Sequence, residues 1–376
     1  MTKIEGIHYS TGKPIQLSMQ GGMITEIIEI PSCKTENIIA PGLIDNQVNG
    51  YLGIDFSGDS LDTEGIEKVT KALWQQGVTS YLPTLITNSH ESLKRNFKIF
   101  SELTDDSLFT KSIIGYHLEG PYISPEPGFV GCHPMEHVRK PDWDEFQELQ
   151  KAASGRIVQV TLAPEMEGSL GFIQHCVNSG IVVSLGHTNA GFDIIKAAVE
   201  AGASLSTHLG NGCANLIHRH NNPIWPQLDC DDLTPSVIAD GHHLPPELIR
   251  TIFKVKGKDN LILTSDVAPP AGMRPGKYFF AGSDVELKKN GRLESISNNC
   301  LAGASFSLKA GVENMVKFVG CTLSEAIDMA SKNPARVYGF TDRGVIEKGK
   351  RADIILIQND HHIHIKETYV LGENVL

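Results

Sequence analysis

The sequence contains no run of five or more like charges, and its 33 Lys and Arg are outnumbered by 44 Asp and Glu, for a net charge of −11. A nucleic-acid binder needs a basic footprint that displaces counterions from phosphates, so that class is excluded. No stretch approaches the ~18 consecutive apolar residues of a membrane span, and the opening MTKIEGIHYS lacks the apolar core of a secretion signal. The expectation is a cytoplasmic protein with no membrane partner. The seven cysteines are odd in number, scattered and without a C-x-x-C pair, which argues for reduced thiols and against a disulfide framework. No fixed repeat and no low-complexity stretch is present. With 40% hydrophobic residues, the chain can bury enough surface to offset its conformational entropy, which excludes disorder.

What the sequence does have is a change of hydrophobic period. In the first forty residues, PIQLSM and MITEIIEI flank Gly21-Gly22, a hairpin signal that requires positive φ. The last thirty residues alternate in the same way, in ADIILIQ and HHIHIKETYVLGENVL. The two ends are expected to assemble one small β-sandwich domain, residues 1–42 with 338–376. Between them, 43–337, eight short apolar strands are separated mostly by amphipathic helices: LIDNQV, VTSYLPTLI, SIIGYHLEG, RIVQVTLAPE, IVVSLGH, ASLSTHL, LTPSVIAD and LILTSDV. Helices are expected near 62–76, 89–103, 143–152, 169–179, 191–201, 246–255, 305–318 and 322–331, with an inserted hairpin over 276–300. Strands alternating with helices pair in parallel, and eight of them suggest a closed barrel. The fold class is α/β, a (β/α)₈ TIM-like barrel with a small terminal β domain.

Active sites of such barrels lie at the C-terminal ends of the strands. Here those ends carry Gln47 and Asn49 (first), His117 and Glu119 (third), His187 (fifth), His208 (sixth), Asp240 and His243 (seventh) and Asp266 (eighth). One carboxylate and two imidazoles, Glu119, His187 and His208, make a three-ligand site for one divalent metal, Zn²⁺ being the expected ion, with a position left for water. A single His at a strand end is more often a hydrogen-bonded structural residue, and Asp266 before Val-Ala-Pro-Pro could simply open a turn. The joint occurrence on strands three, five, six and eight carries the reading. His361, His362 and His364 lie on an alternating terminal strand and read as a solvated face. His8 and His90 read as surface residues. Cys132 and Cys213 have no nucleophile signature.

The segments APGLIDNQVNG, TSYLPTLIT, GYHLEGPYIS, VTLAPE, GHTNA, STHLGN, ADGHH and SDVAPPAG, in this order, resemble the N-acetylglucosamine-6-phosphate deacetylases of the amidohydrolase superfamily. The closing GVIEKGKRADIILI resembles the end of many amidohydrolases. The resemblance implies a metal held by Glu119, His187 and His208, with Asp266 as catalytic acid–base. It implies that His133 contacts the acetamido group, as both a catalytic and a substrate-binding residue. Phosphate contacts would come from Asn211, Gly212, His243 and Arg219, the last often from a neighbouring subunit, which points to a homodimer. Ala302 completes the substrate-binding set. The partner implied is a small phosphosugar. Alternatives are another N-acyl amino sugar, an N-acyl amino acid, or a metal-free structural relative.

Two departures bear on chemistry. Many amidohydrolases carry His-x-His on the first strand, and binuclear members often add a lysine on the fourth. Here Gln47-Val48-Asn49 and a lysine-free IVQVTLA stand instead, and side-chain amides are poor zinc ligands. The phosphate loop reads Asn211-Gly212-Cys213, and Arg219 is followed by His220-Asn221-Asn222, so the distal end of the substrate could differ from the usual phosphosugar.

Overall fold

The computed structural model describes residues 1–33, 35–103, 107–298, 300–360 and 362–376. Eight parallel strands stand side by side in chain order: Leu43–Val48, Val78–Ile86, Tyr116–Glu119, Ile157–Leu162, Val182–Leu185, Leu205–Ser206, Thr234–Val237 and Ile262–Leu263. The eighth returns to the first through a parallel bridge between Val48 and Val267, where the Asn49 N–H donates to the Val267 carbonyl at 2.9 Å. The barrel is nearly closed, and all eight expected strands form it.

The helices wrap it because each buries only one face. In Thr63–Trp74 the buried Ile66, Val69 and Leu73 fall at helical spacing. Asp62 caps its first turn, accepting the Gly65 N–H at 2.8 Å, an arrangement whose loss costs about 1 kcal/mol. Gly77 then takes positive φ, 78°, to turn the chain into the second strand. Helices over His90–Ser101, Trp143–Ala152, Ser169–Asn178, Phe192–Glu200, Pro246–Lys256, Leu308–Val319 and Leu323–Met329 likewise match the expected ones. Ile224–Asp229 was not expected as a helix. Pro223 and Pro226 mask it in the sequence, yet Pro226 sits in the first turn, where its missing N–H costs nothing.

Seven strands from the two chain ends form a second sheet, ordered Glu373–Asn374, Ile363–Val370, Ile354–Asn359, Ile38–Pro41, Thr2–His8, Pro14–Gln20 and Met23–Glu29. Gly21 and Gly22 make the expected turn, with φ of 58° and 78°. The strand Ile354–Asn359 is buried on both sides. Ile354 and Leu356 join Leu17, Met19, Ile24 and Ile39 in a core made by this sheet and the segment just before it. The expected small β domain is thus one continuous seven-stranded sheet with an apolar core of its own. Ile355 and Ile357 point the other way, into the barrel's core.

The insert before the last helices is a three-stranded meander rather than a hairpin: Gly276–Phe280, Ser283–Leu287 and Leu293–Ser295. Its inner residues Phe280, Val285, Leu287 and Leu293 pack on Ile86, Ala268 and Ala302. The insert is thereby docked on the barrel mouth. His364 on the strand Ile363–Val370 and His362 just before it are exposed and face Asp360 and Glu313, and His361 lies outside the described residues.

Candidate active site

Three of the expected site residues leave their strands with left-handed backbone: His187 at φ 50°, His208 at 32° and Asp266 at 51°. This conformation is uncommon outside glycine and carries strain of order 1–3 kcal/mol. It turns each chain sharply at the strand end, and all three side chains line one cleft with Glu119 and His133.

Glu119 is the hub. Its Oε1 lies 3.1 Å from His208 Nε2 and 3.5 Å from His187 Nε2, while Oε2 lies 4.0 Å from His133 Nε2. Burial pushes the Glu119 carboxyl up, but hydrogen bonds from His187 and His208 outweigh it and hold the group well below the usual carboxylate range. The second nitrogen of His187 faces the Phe129 carbonyl at 2.9 Å, which fixes the ring; with a cation in place of the Nε2 proton, that hydrogen bond would keep the lone pair on Nε2, as a metal-ligating imidazole requires. The His187 ring also lies between the backbones of Gly131 and Gly212, where an added Cβ would come within 3.0 and 3.1 Å of Cε1.

Among the described residues the group whose ligand atoms all lie within 4.8 Å of one another is Glu119, His133 and His187; His208 joins through its contact with Glu119. A tetrahedral ion with bonds of about 2.0–2.1 Å spaces its ligand atoms about 3.3–3.4 Å apart. The distances from Glu119 to His208 and His187 bracket that spacing, and the distance to His133 exceeds it. A buried oxygen–nitrogen–nitrogen set with an oriented second nitrogen fits a divalent cation.

Asp266 is buried and receives the Asn49 amide at 2.8 Å and the Gln47 amide at 2.9 Å. Gln47 Nε2 also donates to Glu119 at 2.9 Å. Burial pushes the Asp266 carboxyl up to about 6, the Glu119 charge adding to the effect and His208 opposing it. His133 faces Thr87 Oγ1 at 2.8 Å. Burial, reinforced by His187, lowers it to about 3, so its imidazole is neutral. His117 sits one layer deeper, between Thr84 and Thr161 at 3.2 and 2.8 Å, and belongs to the barrel's polar interior.

The cleft has a volume of about 350 Å³, within the range of small-molecule sites. Asn211, Gly212 and His243 lie on its wall with the residues above. His243 meets Asp240 Oδ2 through Nδ1 at 2.8 Å, which leaves Nε2 for the cleft. Arg219 is exposed and stands off the wall, beside the exposed Leu216 and Trp225. Ala302 is wholly buried, and Leu301 and Gly303 form the wall on either side of it. Burial pushes the Cys132 and Cys213 thiols up, so both stay protonated. Sequence reasoning missed Arg292, which reaches the cleft from the insert. In the sequence it is one charge among many.

A family model described as the Amidohydrolase family matches residues 38–375. The chain is 33% identical over 329 residues to the N-acetylglucosamine-6-phosphate deacetylase of Bacillus subtilis (strain 168), across 86% of this chain and 82% of that one. It is 32% identical over 362 residues to the N-acetylgalactosamine-6-phosphate deacetylase of Escherichia coli O157:H7, across 95% and 94%. A solved N-acetyl-D-glucosamine-6-phosphate deacetylase from Mycobacterium smegmatis, an Asp-to-Ala mutant in complex with N-acetyl-D-glucosamine-6-phosphate, matches with a TM-score of 0.90 and 26% identity over 100% of both chains.

Proposed function

The chain belongs to the amidohydrolase family, in the branch of the N-acetylglucosamine-6-phosphate deacetylases, and we propose that it hydrolyses the acetamide of N-acetylglucosamine 6-phosphate to glucosamine 6-phosphate and acetate. The observation that carries this reading is a single cleft in which two imidazoles meet Glu119 and the Gln47 amide joins Glu119 to the raised Asp266 carboxyl.

Glu119, His187 and His208 would hold one Zn²⁺. When bound, such an ion supplies a Lewis acid that polarises a carbonyl and eases deprotonation of water. Asp266, kept in place by Asn49 and Gln47, accepts the proton of the attacking water and passes it to the departing nitrogen, since an unprotonated amine leaves poorly. The neutral His133 donates one N–H to the acetyl oxygen as negative charge develops there; such a donor is worth about 2.7–4 kcal/mol elsewhere. Asn211, Gly212 and His243 would receive the far end of the sugar.

Arg219 would complete the site of a second subunit in a homodimer. The exposed Leu216 and Trp225 beside it support this reading. The seven free thiols support a reducing, cytoplasmic setting. Among the described residues no helix is long and apolar enough to cross a membrane.

Acetate release at defined metal content tests the reading, with N-acetylglucosamine 6-phosphate, its galactosamine epimer and the unphosphorylated sugars as a panel. Equal turnover of phosphorylated and free sugars would point instead to another N-acyl substrate class. A protein that binds no metal and releases no acetate would be a structural relative.

A further inference from the structure

Among the described residues Arg292 is the only Lys or Arg on the cleft wall, and no role above uses it. It follows the second strand of the insert, in a turn tied down from several sides. Lys288 N–H donates to the Arg292 carbonyl at 2.8 Å, and Arg292 N–H donates to Asn290 Oδ1 at 3.2 Å. His242 Nε2 meets the Asn290 carbonyl at 3.1 Å, while the Ser305 hydroxyl donates to the Gly291 carbonyl. His242 is adjacent in sequence to His243, so the turn is anchored beside an imidazole of the cleft wall.

The guanidinium is not committed. Arg292 Nε pairs with Glu294 at 2.5 Å, with the two side chains 47% and 34% exposed, and a pair that open to water is weakly held. Glu294 is open to water and has Lys288, which pairs with Glu286 at 2.5 Å, within 3.8 Å, so it would not be stranded if Arg292 turned away. A phosphate dianion carries twice the charge of the carboxylate and accepts the same two-pronged hydrogen bonding.

We propose that Arg292, supplied by the chain's own insert, binds the substrate's 6-phosphate alongside His243 and sets the preference for phosphorylated over free amino sugar. The inference rests on the deacetylase reading and deepens it. Binding exchanges Glu294 for phosphate on Arg292 and leaves Glu294 to water and to Lys288, which it shares with Glu286.

The test compares kcat/KM for N-acetylglucosamine 6-phosphate and N-acetylglucosamine, and inhibition by inorganic phosphate, in wild type, Arg292→Ala, Arg292→Lys, Glu294→Gln and Lys289→Ala. Arg292→Ala is expected to cut the preference for the 6-phosphate about ten- to a hundredfold through KM, and to weaken phosphate inhibition in step. Arg292→Lys, a point charge without the fork, should fall between. Glu294→Gln removes the competing carboxylate and should move KM for the 6-phosphate the other way, downward. Lys289, exposed on the same turn and off the cleft wall, controls for general loss of positive charge and should change neither. A wild-type protein that prefers the 6-phosphate, with an Arg292→Ala variant that keeps the full preference, would overturn this inference and leave the deacetylase reading intact. Equal loss toward both sugars would also overturn it, as would an Arg292→Ala chain whose phosphate inhibition is unchanged. A wild-type protein that deacetylates no 6-phosphate would overturn the underlying reading instead.

Discussion

The Gln47 side-chain amide donates to Asp266 at 2.9 Å from a position where His-x-His amidohydrolases place a metal ligand. Its nitrogen has two hydrogens and two acceptors, Asp266 and Glu119, so both donors are used. A second cation in this position would depress the Asp266 carboxyl strongly, whereas a neutral amide only orients it. The base thus keeps enough proton affinity to work near neutral pH.

One metal per chain is the expected stoichiometry. His187→Ala and His208→Ala should each abolish metal binding and acetate release together, while the exposed His362→Ala changes neither. Elemental analysis of the purified protein near two metals per chain would contradict the role given to Gln47 and Asn49.

Asp266→Asn keeps the shape of the side chain and removes its basicity. Turnover should fall by about 10²–10⁴-fold while metal stays bound. Wild-type activity needs the ionised form, whose folded value is raised to about 6, so activity falls as pH drops through that value. A bound cation lowers the carboxyl, which places the acid limb at or below about pH 6. A pH–rate profile with an acid limb well above 6 would assign it to another group.

Buried imidazole makes the fold acid-sensitive. Burial lowers His117 from 6.5 to about 4, so the folded chain resists a proton that the unfolded chain accepts. The stability this represents is present in full above pH 6.5 and is lost as pH falls from there toward 4. His117→Asn should flatten the stability–pH curve in that window by up to one proton, about 1.4 kcal/mol per pH unit. Denaturant titrations at a series of pH values, with equal slopes for both proteins, would assign the acid sensitivity elsewhere.

Arg219 stands off its own cleft, and Arg219→Ala should still raise KM for the 6-phosphate about tenfold or more if a neighbouring subunit supplies it. Mixing inactive Asp266→Asn chains with Arg219→Ala chains should then restore activity, because in a hybrid dimer one site has both groups. Additive activity of the two populations would place Arg219 outside the site.

The barrel was legible because its signals are local. HLEGP, GHTNA, STHLGN and LTSDV each end an apolar strand on a polar residue, and the strand–helix alternation orders those ends around one mouth. Arg292 was not legible, since Glu286, Lys288, Lys289, Arg292 and Glu294 crowd into nine residues and look like an ordinary solvated turn. Only the docked insert brings Arg292, alone among those charges, to the edge of the cleft. The terminal sheet was legible in outline, from alternation at both ends. The pairing of Thr2–His8 in parallel with Ile38–Pro41 depends on contacts too distant in sequence to be read from pattern. The off-wall places of Arg219 and Ala302 are likewise set by loop conformation.

The left-handed backbones of His187, His208 and Asp266 mean that activity and durability pull on this chain in opposite directions. Glycine or asparagine would sit more comfortably at each of these three strand ends. Laboratory evolution that rewarded heat resistance alone would therefore drift toward an inert barrel, gaining about 1 kcal/mol at each step while discarding the chemistry. Any stabilisation campaign on this scaffold has to screen for turnover in the same round, or confine its library to positions away from the cleft.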